Sequence, residues 1–453
     1  MKRAWLLALA VGSGSEPARL VQEVVPDARA AEPSPAAATY EAINPILGAD
    51  RPDPHILRAV EGGRPAYYLT ATSGSGADIP VLRSNDLLTW KQLPKKLLDR
   101  PTTPGGSTPL HGRHYCNVWA PEIVQLGPSS FMLQFTATRF AAAQPSCPGT
   151  DEDSGVYVAW SDKPTGPFAR DDRPGEPFAT GARSGSCALR ERLPRSLDVA
   201  EGDCKGGPCH QIMRLDSTVF RDEADGRWWM AYAWYTNSPT KVAWEASNHG
   251  EHVNLVELDP KDPFAVRCDA AAAQVNVVNA HDPVLKSQLQ NGCERCGEML
   301  SFSRGRFDEE MVRDGHRWGV SEAPSLLRRN GWVYAFFSHS AWDSAFYAVS
   351  WVAARTVEEL ATGSPTRISG RYLIPSNGLS FGHGSPVLGP DGRSHYYVHH
   401  RLQHGACKAT GACARDVWIS PLEFEDRGDG RGDAWIKPRF PAEDPKVRVT
   451  VPA

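Results

Sequence analysis

Five stretches of this chain repeat one pattern, and that repeat restricts the fold more than any other feature. Each begins with a polar or acidic residue beside a proline or small residue. A short apolar run follows, then a turn, then an aromatic-rich run. They read "DPHILRAVEGGRPAYYLTATSG" from Asp53, "PEIVQLGPSSFMLQFTATR" from Pro121 and "DSTVFRDEADGRWWMAYAWYTN" from Asp216. The last two are "EAPSLLRRNGWVYAFFSHSAWDS" from Glu322 and "HGSPVLGPDGRSHYYVHHRL" from His383. Two runs of β-forming residues across a Gly, Asn or Asp turn make a hairpin. Further strand-like runs follow several of them, as in "IPVLRSNDLLTW", "GVYVAWSDKPTGPF" and "AFYAVSWVAARTVEEL", and helical periodicity is weak throughout. Five units of about four strands predict an all-β chain folded as a five-bladed β-propeller. Insertions at roughly 91–118, 170–212 and 240–318 make the spacing irregular and are expected to shape the rim.

In a propeller the innermost strand of each blade lines the central axis. The residues that open the five units, Asp53, Glu122, Asp216, Glu322 and His383, are therefore expected to point there. Four carboxylates brought together repel one another unless a function or a partner offsets the cost. The opening stretch "NPILGADRPDPHILR" adds to this reading. Pro52 and Pro54 bracket Asp53, and a proline biases its predecessor toward extended backbone. Asp53 is thus expected on a stiff, extended approach to a central site, where small displacements matter.

These motifs resemble glycoside hydrolase family 43, a family of five-bladed β-propellers. "NPILGADRPDPHI" resembles the segment with the family's base aspartate. "SNDLLTW" resembles the end of the first blade and "NVWAPEIV" the start of the second. "LDSTVFRDEADGRWW" resembles the segment with its second aspartate, and "VSEAPSLLRRNGWVYAFFS" the one with its acid glutamate. "GHGSPVLGPDGRSHYYVHH" resembles the fifth-blade segment with an axial histidine. The likeness extends from about Asn44 to about Arg431. It implies Asp53 as general base, Glu322 as general acid and Asp216 as the group that raises the acid's pKa and orients it. The family has proline after the second aspartate, where this chain has Ser217. Trp119 and Trp342 follow the family's pocket-lining pattern, and Glu122 is a candidate substrate contact. His383 reads either as a satisfied axial histidine or as a calcium-linked ligand. No cofactor is required by this chemistry, and calcium in the central channel is the one candidate. The implied activity is inverting hydrolysis of α-L-arabinofuranosyl or β-D-xylosyl linkages in plant cell-wall polysaccharide. Inversion needs one protonated carboxylic acid and one ionised carboxylate, roughly 6.5–9.5 Å apart with water between. The alternatives are a fructan-active five-bladed propeller and a non-catalytic sugar-binding propeller. The first would carry an asparagine-containing opening motif, absent here; the second need not keep all three of Asp53, Asp216 and Glu322.

Composition agrees with this reading. The 453 residues carry 49 basic and 53 acidic side chains, a net charge of −4 that leaves no footprint for nucleic acid. No apolar run approaches the length that spans a bilayer. "MKRAWLLALAVGSGS" resembles a secretory signal, with Lys2-Arg3 ahead of a short apolar run. "AAEPSPAAAT" reads as a linker. The expected organisation is 1–39 as signal and linker, 40–441 as a single catalytic domain with long disulfide-bearing loops, and 442–453 as a tail. Ten cysteines, with a possible export signal, favour disulfides. The zinc-like spacings Cys204-x4-Cys209-His210 and Cys293-x2-Cys296 lack a compact second pair. A secreted or periplasmic monomer acting on an oligo- or polysaccharide is expected.

Four features are set aside. Asp50 lacks the following proline of Asp53. "HDPVLK" at His281 has no aromatic hairpin after it. Arg431-Gly432-Asp433 reads as a polar turn, and the mid-strand Trp228 and Trp229 read as core.

Overall fold

The structure is a computed structural model that describes residues 37–73, 79–98, 106–110, 113–140, 142–147, 154–168, 212–236, 252–260, 262–266, 298–299, 321–340, 342–343, 347–362, 368–375, 378–403, 413–437 and 441–452. The signal-like segment, the His281 motif and Cys187, Cys204, Cys209, Cys268, Cys293, Cys296 and Cys407 lie outside the described residues.

Strand β1 (Ala38–Ile43) leads into five antiparallel sheets. Blade one is β2 (His55–Glu61), β3 (Arg64–Thr70), β4 (Pro80–Ser84) and β5 (Lys91–Lys96). Blade two holds β6 (Thr108–Leu110), β7 (Arg113–Gly127), β8 (Ser130–Phe140) and β9 (Ser154–Ser161). It departs from the simple order, because β6 pairs with the first residues of the long β7, not with an outer strand. Blade three is β10 (Ile212–Arg221), β11 (Trp228–Thr236), β12 (His252–Asp259) and β13 (Asp262–Val266), with β14 (Glu298–Met299) also on β12. Blade four is β15 (Ser321–Arg329), β16 (Trp332–His339), β17 (Ala348–Ala354) and β18 (Ile368–Ile374), with the short helix α1 (Val357–Thr362) between its last two strands. Blade five is β19 (Phe381–Leu388), β20 (His395–Leu402), β21 (Arg415–Glu425) and β22 (Asp433–Ile436). The five-bladed propeller expected from the repeat is the fold.

The core lies between blades, which explains the aromatic second runs. Every residue of β16 and β17 is buried, because a middle strand has a neighbouring blade on each face. One apolar cluster joins blades one and two through Leu57, Tyr68, Val118, Phe135 and Tyr157. Another joins blades three and four through Trp229, Leu255, Phe337 and Val352. A third joins blades four and five through Phe336, Trp351, Tyr397 and Trp418. Burying each such side chain stabilises the fold by ~1.5–3 kcal/mol. Trp229 is core as expected, and Arg431 is turned inward, with Nη2 on Asp433 at 2.7 Å.

The segment expected as a tail carries a strand. β23 (Lys446–Val451) pairs antiparallel along the whole of β1. Its Val447 and Val449 enter a cluster with Ile56 and Tyr67 of blade one and Val398 and Ile419 of blade five. Cys116 and Cys147 form a disulfide across 31 residues, and Cys413 is also disulfide-bonded.

Candidate active site

The five inner strands share a backbone device. Asp53, Ala120, Asp216, Ala323 and His383 all have positive φ, between 44° and 56°. This left-handed region is uncommon for residues other than glycine and costs ~1–2 kcal/mol. In blades two to five the strand pairing shifts register at that residue. Two expectations change here. Asp53 is not extended: its φ is 56° despite Pro54. The ring positions are also not the five residues read from the sequence. Glu322 precedes its ring residue Ala323, and Glu122 lies two beyond Ala120. A bulge adds a residue that hydrophobic alternation does not reveal.

Tertiary hydrogen bonds hold the bend against local preference. Each ring amide donates to a side chain of the preceding blade. Ala120 N–H reaches Thr72 Oγ1 at 2.8 Å, Asp216 N–H reaches Thr136 Oγ1 at 3.0 Å, and His383 N–H reaches Ser338 Oγ at 2.8 Å. Asp53 N–H closes the circle on His400 Nδ1 at 3.2 Å. Blade four differs. Thr136, Ser338 and His400 lie on second strands opposite Trp119, Glu322 and Gly382. The matching position on β11, opposite Leu215, is the buried Ala233, whose methyl accepts nothing. The Ala323 amide donates instead to the carboxylate of Asp216. Asp216 therefore touches the backbone next to Glu322.

The carboxyl groups sit in unlike surroundings. Burial pushes the Asp53 pKa up, but Arg415, His383 and the Thr72 hydroxyl outweigh it and hold the group below the ordinary range. Arg415 Nη1 is 3.1 Å from Oδ1, and Thr72 Oγ1 donates to Oδ2 at 2.7 Å. Glu322 is pushed up to about 7, first by burial; the Tyr347 hydroxyl that donates to its Oε1 opposes this, and the charge of Asp53 adds to it. Asp216 is raised well above the usual range by burial and by the charges of Glu322 and Asp53. Glu122 is raised to about 8 by burial, against hydrogen bonds from Thr218 and Gln134. His383 Nδ1 stands 3.2 Å from Asp53 Oδ1 and 3.7 Å from Asp216 Oδ2, and burial keeps the ring neutral against the pull of Asp53. His400 lies 3.5 Å from Asp53 without forming an ion pair. Its Nδ1 accepts an amide, and burial drives its pKa well down.

Asp53, His55, Ala120, Glu122, Asp216 and His383 line one central recess. Half-buried Trp119 precedes Ala120. Trp342 lies under the Arg415 guanidinium, 4.4 Å from its ring centre, so one side chain separates it from Asp53. Asp50 accepts the Arg415 amide at 2.9 Å and so braces the strand that carries that arginine. Calcium does not fit the described side chains. His383 faces two carboxylates through Nδ1, and among the described residues no three His, Cys, Asp or Glu side chains converge to hold an ion. No step is derived through a cation. Thr72, Ser338, Tyr347, His400 and Arg415 were not singled out in the sequence. Each serves a carboxylate from a different strand, so no local motif marks it.

The family model described as glycosyl hydrolases family 43 matches residues 42–181, the stretch that holds Asp53, Thr72, Ala120 and Glu122. A curated family 43 relative, beta-D-galactofuranosidase xynD of Aspergillus niger, is 38% identical over 112 residues. That match spans 24% of this chain and 31% of the relative. Solved structures extend the likeness to the whole fold. A thermostable family-43 glycoside hydrolase aligns over 87% of this chain and 95% of its own, at 19% identity and a TM-score of 0.57. An alpha-L-arabinofuranosidase from Lactobacillus brevis aligns over 86% and 95%, at 17% identity and a TM-score of 0.54.

Proposed function

We propose that this chain is an inverting glycoside hydrolase with Asp53 as general base, Glu322 as general acid and Asp216 as the group that orients the acid and raises its pKa. One observation carries the reading: of two buried carboxyl groups on the inner strands of blades one and four, Asp53 is surrounded by Arg415 and Thr72, which lower its pKa, while burial and the Asp53 charge raise Glu322 to about 7. An ionised Asp53 can take a proton from attacking water. A protonated Glu322 can give one to the leaving oxygen. The Asp216 carboxyl accepts from the Ala323 amide, next in the chain to Glu322, and the charge of Glu322 helps to raise the Asp216 pKa, so the two groups are coupled. Trp119 and Trp342 offer flat faces for a sugar. Glu122, bonded to Gln134 at 3.1 Å, forms the floor of the recess.

The substrates that fit this reading are α-L-arabinofuranosides or β-D-xylosides of plant cell-wall polysaccharide. The Aspergillus niger relative favours β-D-galactofuranosides as a second reading. The Cys116–Cys147 disulfide supports work in an oxidising compartment, secreted or periplasmic. Chromogenic glycosides of the three sugars, followed by NMR of the first-formed product, test the proposal. Hydrolysis with an inverted anomeric centre is expected. Retention, or a covalent sugar adduct on Asp53, overturns the roles.

A further inference from the structure

The acid and the base each have one oxygen tied to a backbone amide through hydroxyl groups, and the direction of those ties is forced. An amide N–H can only donate, and a hydroxyl has one proton. On the base side, Thr72 Oγ1 accepts from Ala120 N–H, and because the ionised Asp53 can only accept, the Thr72 proton goes to its Oδ2 at 2.7 Å. On the acid side the chain is longer. His383 N–H donates to Ser338 Oγ at 2.8 Å. The Ser338 hydroxyl is hydrogen-bonded to the Tyr347 phenol, and Tyr347 O–H donates to Glu322 Oε1. A reversed chain, with Tyr347 donating to Ser338, would leave the buried Ser338 proton without an acceptor among the described residues, so the protons point toward Glu322.

The Tyr347 ring cannot easily leave this line. It stacks on His400 with centroids 5.7 Å apart and planes at 12°. On another side is Gly382, where any Cβ would come within 1.9 Å of the ring. Tyr347, Ser338 and Glu322 are all buried, so water does not compete for these bonds.

We propose that Ser338 and Tyr347 form a one-way relay that makes Oε1 of Glu322 a permanent acceptor and confines the acid's transferable proton to Oε2. Tyr347 is then a positioning residue for proton donation, a role that rests on Glu322 being the acid. A carboxylic acid free to carry its proton on either oxygen presents it to the leaving group only part of the time. With Oε1 capped, the proton stays on the oxygen that can face the glycosidic bond.

Leaving-group dependence separates this role from a structural one. The full-length protein and its Tyr347→Phe variant would be assayed on an alkyl glycoside and on the dinitrophenyl glycoside of the same sugar. The dinitrophenolate departs without protonation, so positioning of the acid matters little for it. The variant should lose roughly tenfold more kcat/KM on the alkyl than on the dinitrophenyl substrate. Its alkaline limb should also move to higher pH. The lost hydroxyl favoured the ionised acid; burial and the charges of Asp53 and Asp343 continue to disfavour it, against the pull of Arg415. Ser338→Ala should shift both readouts the same way by less, and carries the test if Tyr347→Phe does not fold. Equal losses on the two substrates with an unmoved limb would overturn the relay. A carbon-13 titration of the Glu322 carboxyl needs no turnover: an upward shift in Tyr347→Phe supports the relay, and no shift refutes it. A wild-type protein inert on every glycoside would refute the proposed function, not the relay.

Discussion

Asp53 holds the ring position of blade one and Glu322 stands one residue before that of blade four, yet their surroundings have opposite chemical sense. Around Asp53 a guanidinium and a threonine hydroxyl donate, and the neutral His383 imidazole stands 3.2 Å away. Around Glu322 there is one phenol, and the charges of Asp53 and Asp343 both oppose ionisation. Both groups are buried, so desolvation raises both pKa values; the neighbours decide which stays raised. The difference teaches that a propeller need not build two separate pockets to obtain an acid and a base. It can place identical bends around one axis and vary which side chains the adjacent blades send inward.

The comparison breaks hardest at the carboxyl groups themselves. Asp53→Asn and Glu322→Gln should each lower kcat by roughly 10²–10⁴. Only the Asp53 variant should lose as much on a dinitrophenyl glycoside as on an alkyl one; the same pattern from both would erase the distinction between base and acid.

Asp216 comes next, because it links the two sides. Asp216→Ala removes a carboxyl group and leaves the Ala323 amide without its acceptor. Asp216→Asn keeps an acceptor. The alanine variant should have the lower Tm, by the equivalent of about 1–3 kcal/mol. Adding Ala233→Ser places a hydroxyl where other blades carry Thr136 and Ser338, and should restore part of that loss. A double variant no more stable than Asp216→Ala would show that the amide is not what Asp216 holds.

Thr72→Val sharpens the base side with little change of shape. It removes a charge-assisted bond worth about 1.5 kcal/mol, so kcat/KM should fall about tenfold, on both leaving groups alike. A loss restricted to the alkyl glycoside would place Thr72 with the acid instead.

The smallest effect is a position on the pH axis. Glu322 donates only while protonated, so kcat/KM should fall as pH rises through about 7. Asp53 works only while ionised, and its lowered pKa keeps the acidic limb below the ordinary carboxylate range. A pH–rate profile with the acidic limb near neutrality would exchange the two roles.

The sequence displays the blades because each inner hairpin pairs a short apolar run with an aromatic one across a local turn. It displays Asp53, Asp216 and Glu322 because they begin those hairpins. It conceals the register of Glu122 and Glu322, since a bulge that inserts one residue has no signature beyond proline or a small residue nearby. The left-handed turn at Asp53 is concealed for another reason. Pro54 argues for extended backbone, and only the imidazole of His400, 347 positions away, overrides it. Thr72, Ser338 and Tyr347 lie in or beside ordinary strands in one dimension; their role depends on which blade comes next around the axis.

The β1–β23 ribbon has a consequence for how this catalyst would lose function. Asp53 belongs to blade one, but Arg415, His383 and His400, which keep it ionised or fix its amide, all belong to blade five. No blade is assembled from strands of both ends of the chain. The seam is held by the ribbon, by Asn44 bonded through its side chain to Ile419 at 2.8 and 3.0 Å, and by the apolar cluster beneath. Slight parting of that seam would detach the base from the Arg415 charge while every blade remained folded. The ribbon is thus a fuse for the chemistry: the weakest link in the circle of blades sits where the ionisation of one carboxylate is decided.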